Sequence, residues 1–407
     1  MKPLIRPPRA TRSILPVFLS LLLLLAAACE LSGSSGSDSD DQNDSGSSDG
    51  TQNGGDTTED QDHEVLVDEV VTGLSHPWGM AFLPEGSVIV TERGGGIVLV
   101  ESGTKTQVSG APEVAAVGQG GLLDVALHPD FEEPGNGWIY FTYATDVDGA
   151  YATALGRGRL DGTELTDWQE LFVMEGATTT TRHFGSRIVF GSDGYLYMSI
   201  GDRGSRNRAQ DAGDHAGSTL RLTDTGEPAP GNPFAESGLP EIYSIGHRNP
   251  QGMTVHPETG AIWQNEHGPD GGDEVNIIRA GENYGWPIVS YGTEYSSGAP
   301  IGDDPEDHPE VVLPVTYWVP TSIAPSGMTF YTGDVFPGWR GDAFVGALAE
   351  RHLRRLEISG EEVTEQEQLL IEEGWRIRQV TEGPEGYLWV LTDEDNGGLY
   401  RLEPAAE

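Results

Sequence analysis

The chain has 407 residues, with 65 Asp and Glu against 23 Lys and Arg and a formal net charge of −42. That balance argues against nucleic acid or an anionic membrane surface as a partner of the folded part, because either would be repelled. A single cysteine, Cys29, excludes an internal disulfide framework, and the length allows one large domain or two to three ordinary ones.

The N-terminus reads as a lipoprotein export signal. Lys2, Arg6, Arg9 and Arg12 precede an apolar run from Ile14 to Ala28, which ends at Ala-Ala-Ala-Cys. The run is shorter than the roughly 20 residues that span a bilayer comfortably, so cleavage is favoured over a retained transmembrane helix. Cys29 is therefore expected to carry a lipid anchor rather than to act as a thiol reagent, placing residues 30–407 outside the cytoplasm on the periplasmic or cell-surface side.

Residues 30–64 are Ser, Gly, Asp, Asn, Gln and Thr with almost nothing apolar. Such a segment buries too little surface to offset its chain entropy and is expected to be a disordered acidic tether. It holds 11 acids and no Lys or Arg, leaving 65 − 11 = 54 acids and 23 − 4 = 19 bases from Val65 onward, a net of about −35 for the folded domain. Lys105 is the single lysine beyond the signal. A lysine-poor acidic surface fits a salty habitat as well as an ordinary acidic extracellular protein, and it suits a monomer.

From Val65 one phrase recurs six times: a short apolar strand, a turn with Pro or Gly, then a second apolar strand. The copies are GMAFLPEGSVIV from Gly79, GLLDVALHPDF with GNGWIYFTYA from Gly121, SRIVFGSDGYLYMSI from Ser186, GMTVHPETGAIWQNE from Gly252, GMTFYTGDVFPGWRGDAFVGAL from Gly327 and RQVTEGPEGYLWVLT from Arg378. Their turns are about 50 residues apart, longer where loops are inserted. Strands rich in Val, Ile, Tyr, Phe and Trp between Gly, Pro and Asp turns predict an all-β domain over 65–407, and 361–372 is the single helix candidate. One four-stranded blade per copy makes a six-bladed β-propeller. A β-sandwich, the competing architecture, would not repeat one two-strand phrase six times. Ring closure is expected to pair the strand near Val65 to Val71 with the last blade.

Residues flanking inner strands line the mouth of a propeller's channel, which makes candidates of Gln119, His183, Asp202, the trio His247, Arg248 and Asn249, and the pair Arg376 and Arg378. Taken singly, each has a plain structural reading. Arg376 and Arg378, however, share one strand face, where two guanidinium groups repel unless an anion lies between them.

The phrases GQGGLLDVALHPDF, HFGSRIVF, GHRNPQGM, NEHGPDGGDEVNII and ENYGWP, with WRIRQV and GYLWVLTDE near the end, resemble the glucose/sorbosone dehydrogenase family. This is the group of soluble aldose sugar dehydrogenases that use pyrroloquinoline quinone (PQQ), and the resemblance spans 65–403. It implies a propeller with PQQ in the channel mouth, calcium resting on the cofactor, and oxidation of the anomeric hydroxyl of an aldose to a lactone by hydride transfer. It further implies His183 as general base, with Asp202 orienting it and Gln119 touching the substrate or that base. Arg248 and Asn249 would face the quinone oxygens, Arg248 stabilising the charge that develops there. Arg376 and Arg378 would take the cofactor's carboxylates, and the Gly268 and Pro269 carbonyls would ligate calcium.

Asp270, Asp273 and Glu274 lack EF-hand spacing and are read as stabilising their loop or holding a second, structural calcium. Two departures from the family pattern stand out. Ala349 occupies a position where many relatives carry a cofactor-holding lysine, with Arg351 a possible substitute, and Arg182 precedes the base where Asp or Asn is common. The electron acceptor, a cytochrome or a quinone, and the sugar carry no readable motif. Two rival functions are a metal-dependent lactonase-type hydrolase and a non-catalytic glycan-binding propeller.

Overall fold

The computed structural model describes residues 65–405. The export signal, Cys29 and the tether of 30–64 lie outside the described residues. Twenty-four strands form six four-stranded antiparallel sheets, the six blades expected from the repeat. The first strand in the chain, β1 (Val65–Leu74), belongs to the last blade. Blade 1 is β2 (Pro77–Phe82), β3 (Val88–Glu92), β4 (Ile97–Glu101) and β5 (Thr104–Val108). Blade 2 is β6 (Leu122–Leu127), β7 (Ile139–Val147), β8 (Ala150–Asp161) and β9 (Glu164–Val173). Blade 3 is β10 (Ile188–Phe190), β11 (Leu196–Ile200), β12 (Ser218–Leu222) and β13 (Ile242–Ile245). Blade 4 is β14 (Pro250–Val255), β15 (Ile262–Glu266), β16 (Asp273–Ile278) and β17 (Thr316–Trp318). Blade 5 is β18 (Pro325–Phe330), β19 (Ala343–Ala347), β20 (His352–Ser359) and β21 (Glu362–Leu369).

Blade 6 takes three strands from the C-terminus, β22 (Ile377–Glu382), β23 (Leu388–Thr392) and β24 (Gly397–Pro404), and its fourth from the N-terminus. Val65 pairs with Pro404 and Leu74 with Gly397, so the first and last described strands are sewn together and close the ring as expected. No α-helix occurs among the described residues, and none of their helical turns is long and apolar enough to cross a membrane. The helix candidate 361–372 contains β21, an outer-edge strand almost wholly exposed, whose Glu and Gln side chains mimic an amphipathic helix in sequence.

The six sequence phrases are the two inner strands of each blade. Apolar clusters between blades, such as Trp138, Tyr140, Leu196, Met198 and Leu220, bury the faces of neighbouring sheets against each other. Five inner strands carry one extra residue near their start, opposite the second strand: β2, β6, β14, β18 and β22. Such bulges turn side chains away from the regular ladder and toward the axis. Gly252 shows why a residue without a side chain stands there: a Cβ would run into the Ser326 carbonyl and the Asn265 amide of the adjoining strands.

One residue from each blade meets on the axis. Arg187 donates to Asp124 Oδ1 (3.1 Å), to the Gln251 carbonyl (2.5 Å) and to the Arg378 carbonyl (2.8 Å). Ser326 Oγ donates to the same Arg378 carbonyl at 2.8 Å, and the Arg187 guanidinium lies 4.1 Å from the Trp78 ring centre. Burial lowers the Arg187 pKa to about 10, with Asp124 opposing that shift. This ring of Trp78, Asp124, Arg187, Gln251, Ser326 and Arg378 closes the channel and makes a polar floor for the mouth above it.

Candidate active site

The mouth lies where inner strands begin and second strands end. It holds a cavity of about 200 Å³ lined by Trp78, Arg93, Gln119, Asn249, Gln251, His267, Ala349, Arg376, Arg378 and Asp393, among others. Four of the expected site residues, Gln119, Asn249, Arg376 and Arg378, are therefore together. A smaller hollow beside it is lined by Arg248, Gly268, Pro269, Glu266 and Glu274, and His267 belongs to both.

His183 precedes β10 in a left-handed backbone conformation (φ 56°), a strained geometry for a residue with a side chain. Its Nδ1 is 2.6 Å from Asp202 Oδ1, and its backbone N–H donates to Gln119 Oε1 at 2.7 Å. Gln119 thus contacts the expected base, through the main chain. A carboxylate can only accept, so Nδ1 carries the proton and Nε2 keeps the lone pair. Asp202 is 1 % exposed and accepts two further bonds, from the Gly204 N–H (2.6 Å) and the Trp286 indole N–H (2.8 Å). Burial opposes its ionisation, but the His183 bond and charge, with the two N–H donors, hold the carboxyl below its usual range. For His183 burial dominates the other way. It lowers the pKa against the pull of Asp202, and the positive charges of Arg248 and Arg182 add to the lowering. These causes favour the neutral imidazole, the form that can accept a proton.

Arg248 sits after β13, its N–H donating to Glu266 Oε2 at 2.5 Å and its Nη1 to the His267 carbonyl at 3.1 Å. Its Nη2 lies 3.4 Å from the Tyr295 hydroxyl, no ion pair with a carboxylate is formed by its guanidinium among the described residues, and its Nε is buried without a partner. A buried cation with no carboxylate partner, in a chain this acidic, is a place for a ligand's negative charge. Asn249, 2 % exposed, accepts from Gln251 Nε2 at 3.3 Å. His247 is fully buried, bonded to Glu266 and Ser244 and stacked on Tyr284, which is the structural role a histidine before a strand usually has.

The anion between Arg376 and Arg378 is the protein's own Asp393. Its Oδ2 is 2.6 Å from Arg378 Nη2 and 3.7 Å from Arg376 Nη2. Burial works against this carboxylate, but Arg378, His76 and Arg376 hold it well below the ordinary range. Two cations share one carboxylate, so a positive charge remains, and Arg376 is still 36 % exposed. Arg93, whose Nη1 donates to the Gly118 carbonyl, adds a third cation to the lining.

The Gly268 N–H donates to Asp273 Oδ1, while Asp273 Oδ2 accepts from Ser322 Oγ and the Ala324 N–H. Asp273 therefore stabilises the Gly268-Pro269 loop, one of the two roles expected for it. Asp270 is exposed, and Glu274 is pushed up to about 8 by burial and by the charge of Glu266. Among the described residues no group of three or more His, Cys, Asp or Glu side chains is set to hold a metal. Arg351 does not replace the family lysine in the cavity: it is half exposed, donates to the Gly374 carbonyl and faces Glu394, while Ala349 lines the cavity wall.

Residues 74–401 match the Glucose / Sorbosone dehydrogenase family model. The chain belongs to that family. An aldose sugar dehydrogenase of Escherichia coli is 45 % identical over 352 residues, covering 84 % of this chain and 92 % of that protein. The solved apo-form of the soluble E. coli aldose sugar dehydrogenase superposes with a TM-score of 0.80 at 42 % identity, over 84 % of this chain and all of that one. The PQQ-bound aldose sugar dehydrogenase of Streptomyces coelicolor superposes with a TM-score of 0.68 at 31 % identity, over 84 % and 98 %.

Arg93, Trp286 and Asp393 were not among the residues expected from sequence. Arg93 had a signal, since it follows the second strand of the first phrase as Asp202 follows that of the third. Asp393 is hidden in the acidic run Thr-Asp-Glu-Asp, and Trp286 reaches the site from a connection between outer strands.

Proposed function

We propose that this protein oxidises the anomeric hydroxyl of aldose sugars to lactones with PQQ as its redox cofactor and calcium as its metal. The observation that carries the reading is the His183–Asp202 dyad beside Arg248, at the rim of a cavity whose cations are only partly neutralised. The donor set fits the cofactor: PQQ is a tricarboxylate with an ortho-quinone, and Arg93, Arg376, Arg378 and the orphaned Arg248 Nε offer guanidinium donors in a chain otherwise dominated by acids.

In this reading Arg376 and Arg93 take carboxylates, and Arg378 holds the floor and contributes charge. Arg248 and Asn249 face the quinone edge, and the Gly268 and Pro269 carbonyls supply oxygen ligands to calcium. When bound, the cofactor supplies an acceptor for the two electrons and hydrogen leaving the sugar, and calcium supplies Lewis acidity. His183 Nε2 takes the proton of the anomeric hydroxyl, Asp202 holds the ring and spreads the charge that appears on it, and Arg248 stabilises negative charge beside it. The hydrolase reading lacks its side-chain carboxylate centre among the described residues. We further propose export and anchoring through Cys29 and a monomeric state, resting on residues 1–64 and on the domain's charge.

Titration of the apo-protein with PQQ, with calcium or with a chelator, tests the cofactor assignment by quenching of tryptophan fluorescence, since Trp78 lines the cavity. Saturable, calcium-strengthened quenching is expected. Absence of quenching at any calcium concentration would refute it.

A further inference from the structure

Trp286 lies on the long connection between β16 and β17, yet it is 5 % exposed and meets the catalytic pair. Its indole Nε1–H donates to Asp202 Oδ2 at 2.8 Å, the oxygen that His183 does not use. Its own backbone is fixed: the N–H donates to the Gly246 carbonyl at 3.0 Å, and its carbonyl accepts from Gln210 Nε2 at 2.7 Å. The guanidinium carbons of Arg206 and Arg248 each lie 5.3 Å from the indole centre. Arg206 in turn is held by Glu294, with Nη2 2.9 Å from Oε2, and the next residue, Tyr295, places its hydroxyl 3.4 Å from Arg248 Nη2.

We propose that Trp286 is a positioning residue: its indole N–H fixes the carboxylate of Asp202 and through it the ring of His183, while Arg206 and Arg248 hold the indole. The inference rests on the assignment of His183 as base. A carboxylate bonded at one oxygen only can rotate; bonded at both, it presents Oδ1 to Nδ1 in one orientation. The indole also covers Asp202 from water, and the Arg206–Glu294 pair ties this cover to the loop that carries Tyr295. The loop is thus joined through Arg206 and the indole to the expected base.

The electrostatic consequence follows from the surroundings. His183 faces Asp202, Arg248, Arg182 and His267, and Asp202 also faces Arg203 and Arg206. Removing the indole donor leaves the Asp202 charge less shared, so it favours the imidazolium more strongly and His183 should titrate at a higher pH.

The test is nitrogen NMR of the apo-protein labelled at histidine, with the His183 signals assigned by loss in His183→Gln, in wild type, Trp286→Phe and Arg206→Gln. The wild type is expected as the Nδ1–H tautomer. Trp286→Phe should raise the titration midpoint and mix the tautomers, and Arg206→Gln, at a part-buried position that supports the indole, should do the same more weakly. In the reconstituted enzyme kcat should fall by about tenfold or more in Trp286→Phe with little change in the sugar KM. The double variant with Asp202→Asn should be no slower than Asp202→Asn alone. An unchanged tautomer and midpoint in both variants, or additive kinetic losses, would overturn the proposal. The NMR readout needs neither PQQ nor sugar, so its failure is distinct from failure of the dehydrogenase assignment, which absent turnover would show.

Discussion

Arg378 Nη2 lies 2.6 Å from Asp393 Oδ2, and Arg376 shares the same carboxylate oxygen at 3.7 Å. The pair of arginines at period two thus meets a built-in counter-ion at the end of β23. Asp393→Ala leaves Arg378 buried without its partner, a change that costs about 3 kcal/mol or more. Chemical unfolding should show a loss of that size; a loss below about 1 kcal/mol would mean that the Gln251 and Ser326 contacts suffice to hold Arg378. Because the folded carboxyl sits below its unfolded pKa, the contribution is present above roughly pH 4 and disappears as pH falls further.

Turnover should persist into mild acid. His183 must be neutral to accept a proton, and burial with the charges of Arg248 and Arg182 lowers its pKa from the ordinary 6.5. The acidic limb of kcat/KM is therefore expected below that value, with activity lost as pH falls through it. A limb above 6.5 in a pH–rate profile would mean that Asp202 outweighs burial.

Arg351 and Arg376 should separate cleanly in PQQ titrations. Arg351→Gln is expected to leave affinity unchanged, because its guanidinium faces Gly374 and Glu394. Arg376→Gln, which removes a half-buried cation from the lining, should weaken binding about tenfold or more. Equal effects would contradict the division of roles.

Closure of the ring depends on β1. Deleting residues up to Leu74 strips blade 6 of its outer strand and unpairs β24, and the melting temperature should fall sharply in a thermal scan. The single change Leu74→Ala, at a fully buried position, should cost about 3 kcal/mol. An unchanged melting temperature after the deletion would mean that β24 needs no partner.

The sequence showed the inner half of every blade and little of the outer half. Inner strands are largely buried, so their apolar runs repeat, and the residues flanking them are the mouth. β21 illustrates the opposite case: exposed along nearly its whole length, it has no period to read and looks like a polar helix. The dyad of His183 and Asp202 was readable because each member flanks an inner hairpin. Trp286 was not, since its place depends on how the long connection 279–315 folds back over the mouth. Asp393 carried the same signal as Arg93, directly after the second strand of its phrase, but in the run Asp393-Glu394-Asp395 nothing local says which acid faces the two arginines.

The most direct measurement is sugar-dependent reduction of an artificial electron acceptor by the protein reconstituted with PQQ and calcium, run beside His183→Gln. Turnover with at least one aldose by the wild type, and none by His183→Gln despite equal PQQ binding, is the expected result. Failure of the wild type to reduce the acceptor with any aldose while the cofactor is bound would contradict the account, and so would full activity in His183→Gln.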